Sequence, residues 1–231
     1  VADLAAVLTP DISLDEVLYV TDGLVALYAS YPEEKMLSLK SDFMDATLRG
    51  KLAYRSVWDG LLGHLHHSLP SLCHEQDHNH KVADNLYLLN VWVYNTEPLR
   101  ELLLMPVSIT GNAQFEALVN DAADELKVTA SVPHLEYDGN VLKGISVDCH
   151  SSEQGIDLYM GATLQNEGTP AVTASLVTRA ENDKVDLGVL WNSNPVGAFE
   201  GTFHTRATFA LDKEGKLTTV IEADSTQATL N

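Results

Sequence analysis

The chain is 231 residues long and 45% apolar, with 33 acidic against 14 basic residues and a formal net charge of −19. That apolar content suffices for an ordinary core. The charge excludes a nucleic-acid backbone or an anionic membrane surface as a direct partner, because no basic stripe offsets it.

In chain order, Val1–Pro10 holds an apolar run with no basic residue ahead of it. No signal peptide is expected there, although a leader cleaved before Val1 stays open. No uncharged stretch reaches the length of a membrane-spanning helix, so a soluble protein is expected, with the cytoplasm as its compartment. Ser13-Leu14-Asp15-Glu16 fits a capping box. Behind it Leu14, Val17, Leu18, Thr21, Leu24, Val25 and Tyr28 recur at helical spacing. This predicts a helix over 14–30, ending ahead of Pro32. Residues 33–48 read as one or two short helices. The stripe Val57, Leu61, Leu65 and Leu69 predicts a helix over 51–69, closed by Pro70. Residues 71–84 read as a polar, histidine-rich loop. Residues 85–95 have strand density, and 102–109 form a second apolar run beyond the Glu97-Pro98 turn. Phe115, Leu118, Val119, Ala122 and Leu126 share a helical face, which predicts a helix from Asn112.

The remainder reads as strands. Segments 128–137 and 141–150 flank Asp138-Gly139-Asn140, a strong hairpin signal. Segments 156–164 and 171–179 flank a Gly-Pro turn, 184–192 and 199–211 flank 193–197, and 217–223 follows Asp212-Lys213-Glu214-Gly215. The predicted class is α+β, with N-terminal helices packed on a strongly curved antiparallel sheet. One compact body over 1–231 is expected, with a division into a helical 1–111 and a sheet region 112–231 as the alternative. Cys73 and Cys149 are too few for a disulfide framework, and two reduced thiols are the simpler expectation.

Val185–Trp191, then Gly197-Ala198-Phe199-Glu200-Gly201-Thr202-Phe203, then Arg206–Asp212 and Gly215-Lys216-Leu217 resemble the last strands of the NTF2-like superfamily. That group includes SnoaL-type polyketide cyclases, ketosteroid isomerases and scytalone dehydratases. The segment Cys73-His74-Glu75-Gln76-Asp77-His78-Asn79 is faintly similar to the histidine-containing entry of dehydratase-like members. The resemblance implies a cone of helices and curved sheet around an apolar pocket, single or in tandem. The chain is longer than such domains and has more strands than one cone needs. A lipocalin-like β-barrel with N-terminal helices is therefore the alternative. No catalytic motif of the family is matched, so no catalytic residue transfers.

Strand alternation sorts the candidate residues by face. Asp148 and His150 share one face of 141–150, Tyr159 opposes Met160, and His204 and Arg206 oppose Phe203 and Phe209. Were these polar faces to line a pocket, His150 or His204 would serve as acid/base, Asp148 as its orienter and Tyr159 as hydrogen-bond donor. Arg206, Trp191 and His74 would contact substrate, His74 from the mouth. The expected activity is cofactor-independent isomerisation, dehydration or cyclisation of a small apolar substrate. The competing reading puts the same residues on a solvated face. The protein is then a non-catalytic binder of a hydrophobic ligand, or an interaction module such as a homodimer. His64, His66, His67, His74, His78 and His80 match no standard zinc spacing, so no metal is assigned, and a metal-dependent protein using His64–His80 is the weaker third reading. No phosphate-cradling or nucleophile-elbow motif is present, and no cofactor is expected.

Overall fold

The computed structural model describes residues 3–8, 15–21, 24–30, 34–41, 43–51, 57–72, 84–96, 107–152, 155–194 and 199–230. Among these residues fourteen strands form one sheet. The first five are β1 (Asp3–Leu8), β2 (Asp15–Thr21), β3 (Leu24–Ser30), β4 (Lys35–Ser41) and β5 (Met44–Lys51). A helix, α1 (Val57–Ser68), follows them. Then come β6 (Leu86–Asn95), β7 (Val107–Asn120), β8 (Glu125–Tyr137), β9 (Asn140–Ser152), β10 (Gly155–Leu164), β11 (Ala171–Glu181), β12 (Lys184–Asn194), β13 (Phe199–Leu211) and β14 (Leu217–Leu230). Every strand pairs antiparallel with its sequence neighbours, so the topology is an unbroken meander, and among the described residues β1 and β14 do not pair with each other.

This corrects the predicted α+β class. Among the described residues there is no helical layer on a curved cone, single or tandem, and the open sheet is not a lipocalin-like barrel either. The helix expected over 14–30 is the hairpin β2–β3, the short helices of 33–48 are β4 and part of β5, and the helix from Asn112 is most of β7. The capping box itself lies partly outside the described residues. Of the helix expected over 51–69, Val57–Ser68 is present as α1, Lys51 ends β5, and residues 52–56 lie outside the described residues. The seven strands predicted from 128 onward are β8 to β14, with the hairpin partners expected. Asp138 and Gly139 both take positive φ at the β8–β9 turn, the geometry that an Asp-Gly pair supplies.

Registration carries the alternation of side chains across the whole sheet. One cross-strand row reads Leu48, Leu89, Ala117, Val128, Cys149, Leu158, Thr178 and Leu187 from β5 to β12. The face bearing this row also carries α1. Tyr87, Val119 and Leu126 are buried there against Leu48, Leu61 and Val128. Leu69, just past the helix, is buried with Ile156 and Ala180 against Cys149, Val185 and Phe209. The packed core therefore sits at one end of the strands, where the helix covers the sheet. The opposite face has no such layer among the described residues, and its side chains stand in solvent. We call the two the helix-bearing face and the bare face.

Candidate functional site

The bare face is ordered in rows. The row nearest the helix end reads Lys127, His150, Asp157, Arg179, Asp186, Arg206 and Glu222 on successive strands from β8 to β14. After His150 the charges alternate strictly in sign. Arg179 Nη1 reaches Asp157 Oδ1 at 3.3 Å, and Arg206 Nε donates to Asp186 Oδ1 at 2.6 Å. Opposite charges directly across a strand pair favour the pairing, modestly so where both are exposed. The hydrogen bond to Asp186 also raises the pKa of Arg206. Arg206, expected at a substrate, is thus one rung of a structural charge ladder.

The next row holds three more of the predicted residues: Thr129, Asp148, Tyr159, Val177, Gly188 and His204. Asp148 and His150 do meet, with Oδ1 and Nδ1 3.3 Å apart, but both side chains are more than half exposed. Tyr159 sits opposite Asp148 in register and is 47% exposed. His204 lies three strands beyond Tyr159, about 14 Å away at the usual strand spacing, too far to share one small substrate. Nothing among the described residues encloses these groups. His74 lies outside the described residues.

Trp191 belongs to the other face, opposite Ala174 and Gly201 in register. Its ring lies tilted against Phe199, centroids 6.1 Å apart. It occupies space that a side chain on residue 201 would need, since a Cβ there would fall 2.2 Å from Trp191 Cζ2. The indole N–H is buried and makes no hydrogen bond among the described residues.

On the helix-bearing face, one row beyond the helix-covered core, the register runs Leu39, Ala46, Val91, Phe115, Ala130 on β4 to β8. It continues through Val147, Met160, Leu176, Val189 and Phe203 on β9 to β13. Ten consecutive strands contribute no polar side chain to this row. With nine inter-strand steps it is about 40 Å long. Phe115 is 36% and Met160 38% exposed, so the row is not closed over as the row beneath α1 is. The parallel row through Leu48 and Val128 widens it and carries no charge.

A third constellation was not foreseen. His64 on α1 is buried, with Nδ1 2.7 Å from Asp124 Oδ1 and Nε2 3.4 Å from Asp121 Oδ1. Asp121 opens a single 3-10 turn, Asp121–Ala123, between β7 and β8. Its other oxygen accepts from the Asn85 side chain at 2.7 Å. Gly60 lets the helix come this close, because a Cβ there would lie 2.8 Å from that carboxylate. His64 stood out in the sequence only as one of a histidine cluster. Its acidic partners lay in a segment read as helix, where they gave no signal. His64 and Asp121 are buried and Asp124 is partly exposed, and the network fastens the helix to the turn between β7 and β8.

Cys149 projects into the helix-bearing face, and burial, reinforced by Asp148 and Asp157, raises its thiol pKa. It is inert rather than activated. Among the described residues no group of His, Cys, Asp and Glu is arranged to hold a metal ion. No described helix is long and apolar enough to cross a membrane. No protein-family model, curated protein or solved structure matches the chain.

Proposed function

We propose that the protein is a non-catalytic binder of elongated apolar molecules, of the acyl-chain class, held along the helix-bearing face. The observation that carries this reading is the apolar row crossing ten strands from Leu39 to Phe203. A solvated sheet face alternates with a buried one; here, among the described residues, the apolar face has a covering layer at one end of the strands only. Large exposed apolar patches mark binding surfaces. Covering a half-exposed residue of Leu or Phe size recovers about 1 kcal/mol, so a ligand touching several of them gains appreciable affinity without a polar anchor.

The shape selects the ligand. A strip about 40 Å long and two rows wide suits a linear chain better than a compact ring. An acyl chain occupies about 15 Å, half the hydrocarbon thickness of a bilayer, so the strip accommodates two or more in file. The exposed polar residues Asp148, His150, Tyr159 and His204 lie on the other face and take no part. The test is titration of delipidated protein with cis-parinaric acid, whose fluorescence rises in an apolar site, alongside mass analysis of the organic extract of the protein as purified. Saturable binding and co-purifying acyl lipid are expected. Absence of saturable binding by the delipidated protein rejects the reading.

A further inference from the structure

Beyond the Asp148 row the bare face changes character. One row there reads Ser175, Leu190, Thr202 and Gln227 on β11 to β14; the next reads Thr173, Asn192, Glu200 and Thr229. These two rows line an open depression of about 350 Å³, with Trp191 and Gly201 also at its surface. That volume falls at the lower end of the range for small-ligand sites.

The lining is chemically narrow. Four hydroxyls each donate and accept, and the two amides of Asn192 and Gln227 do both in a fixed geometry. Leu190 is 44% exposed in their midst and offers one apolar patch. Glu200 is the single ionisable group, and no Lys, Arg or His lines the depression. A phosphate or carboxylate ligand would meet a carboxylate and no cation, on a chain of net charge −19. A nonpolar ligand would strip water from seven hydrogen-bonding side chains without replacing their bonds. What remains is a neutral molecule dense in groups that both donate and accept, with an apolar patch of its own.

We propose that this depression is a binding site for a neutral glycan. Sugar hydroxyls pair with the hydroxyl and amide rows, Glu200 accepts from a vicinal pair, and the C–H face of a ring rests on Leu190. The two rows lie about 7 Å apart along the strands and span about 14 Å across four of them, a footprint for a short oligosaccharide rather than a single ring. The site occupies the face opposite the apolar strip, so it neither requires nor supports acyl-chain binding.

The experiment is isothermal titration of the full chain with three probes, cellohexaose, chitohexaose and maltohexaose, and with a heparin hexasaccharide as the anionic counterpart. At least one neutral hexasaccharide is expected to bind, and heparin is not. The double variant Asn192→Ala/Gln227→Ala alters two exposed side chains and is expected to weaken that binding at least roughly tenfold, or about 1.4 kcal/mol. A thermal melt of the variant superimposing on that of the parent confirms that the fold is intact. The proposal is overturned if none of the three binds at millimolar concentration, if heparin binds as well as they do, or if the double variant binds with parental affinity.

Discussion

His64 on α1 and Asp124, sixty residues further on, meet through a 2.7 Å contact between Nδ1 and Oδ1. Asp121 Oδ1 stands 3.4 Å from the other ring nitrogen without a hydrogen bond among the described residues, so the imidazole lies between two carboxylates at the seam of helix and sheet. The two partners are not equivalent, because the Asp121 side chain is 5% exposed and that of Asp124 42%. His64→Leu leaves the Asp121 carboxylate buried with Asn85 as its remaining anchor and is expected to cost about 3 kcal/mol. Asp124→Asn removes a partly solvated charge and is expected to cost about 1 kcal/mol or less. Urea unfolding midpoints of the two variants measure the difference. Equal losses would mean that the contact with Asp124, not the buried Asp121, fastens the helix.

Gly201 and Trp191 face each other across β12 and β13, and the residue without a side chain makes room for the largest one. A Cβ at 201 would lie 2.2 Å from Trp191 Cζ2 and 2.5 Å from the Gln227 carbonyl oxygen. The carbonyl is backbone and cannot swing away, so Gly201→Ala must displace both β14 and the indole. The expected cost is about 1–3 kcal/mol of overpacking strain. A change in the near-ultraviolet circular dichroism should accompany it as the indole leaves Phe199. An unchanged spectrum and melt would show that the ring is not held there.

The seven C-terminal strands were legible because their turns are explicit. Asp138-Gly139 announces one hairpin, and the strands on either side alternate over long stretches. The N-terminal half misled for a definable reason. Spacing of i and i+4 satisfies a helix, but two steps of a strand give it as well. In β7, Phe115 and Val119 fit both periods; Ala113 and Ala117, buried on the same face, decide for the strand. Alanine carries too little apolar weight to show that alternation in the sequence. Between Thr21 and Leu24, which pair in register, the sequence holds Asp22-Gly23, a hairpin signal overshadowed by the helical count. The sorting of Asp148, His150, Tyr159, His204 and Arg206 onto polar faces was legible too. What lay over each face was not, because burial is decided by elements distant in sequence.

Burial raises the pKa of the Cys149 thiol, with Asp148 and then Asp157 adding to it, and burial followed by Asp121 raises that of the Tyr87 phenol. For both groups the folded state favours the neutral form. The sign follows directly: the folded protein holds these protons more tightly than the unfolded chain. Their contribution is complete below the ordinary thiol and phenol pKa values and is lost as pH rises through the raised ones. The urea midpoint is therefore expected to fall on the alkaline side of the thiol range. Cys149→Ala should shrink that fall while leaving the acid side of the profile unchanged. An alkaline limb identical in the variant would assign the loss to Tyr87 and other groups.

Leu176 and Val177 are adjacent in β11 and project to opposite faces, Leu176 into the apolar row between Met160 and Val189, Val177 onto the bare face between Tyr159 and Gly188. The pair gives an internally controlled test of where an acyl chain lies. A carboxylate at 176 would stand in the middle of the strip, and a bound chain would have to desolvate it without supplying a partner. Such burial costs several kcal/mol and is far more than the chain gains from one residue. Leu176→Glu is therefore expected to weaken cis-parinaric acid binding at least roughly tenfold, about 1.4 kcal/mol. Val177→Glu, at a position 48% exposed beside hydroxyls and charges, should leave that binding unchanged. Neither side chain is in the packed core under α1, so both variants should fold, and a circular dichroism melt checks that they do. If the two variants bind alike, whether both weakened or both intact, the chain does not lie along the row from Leu39 to Phe203.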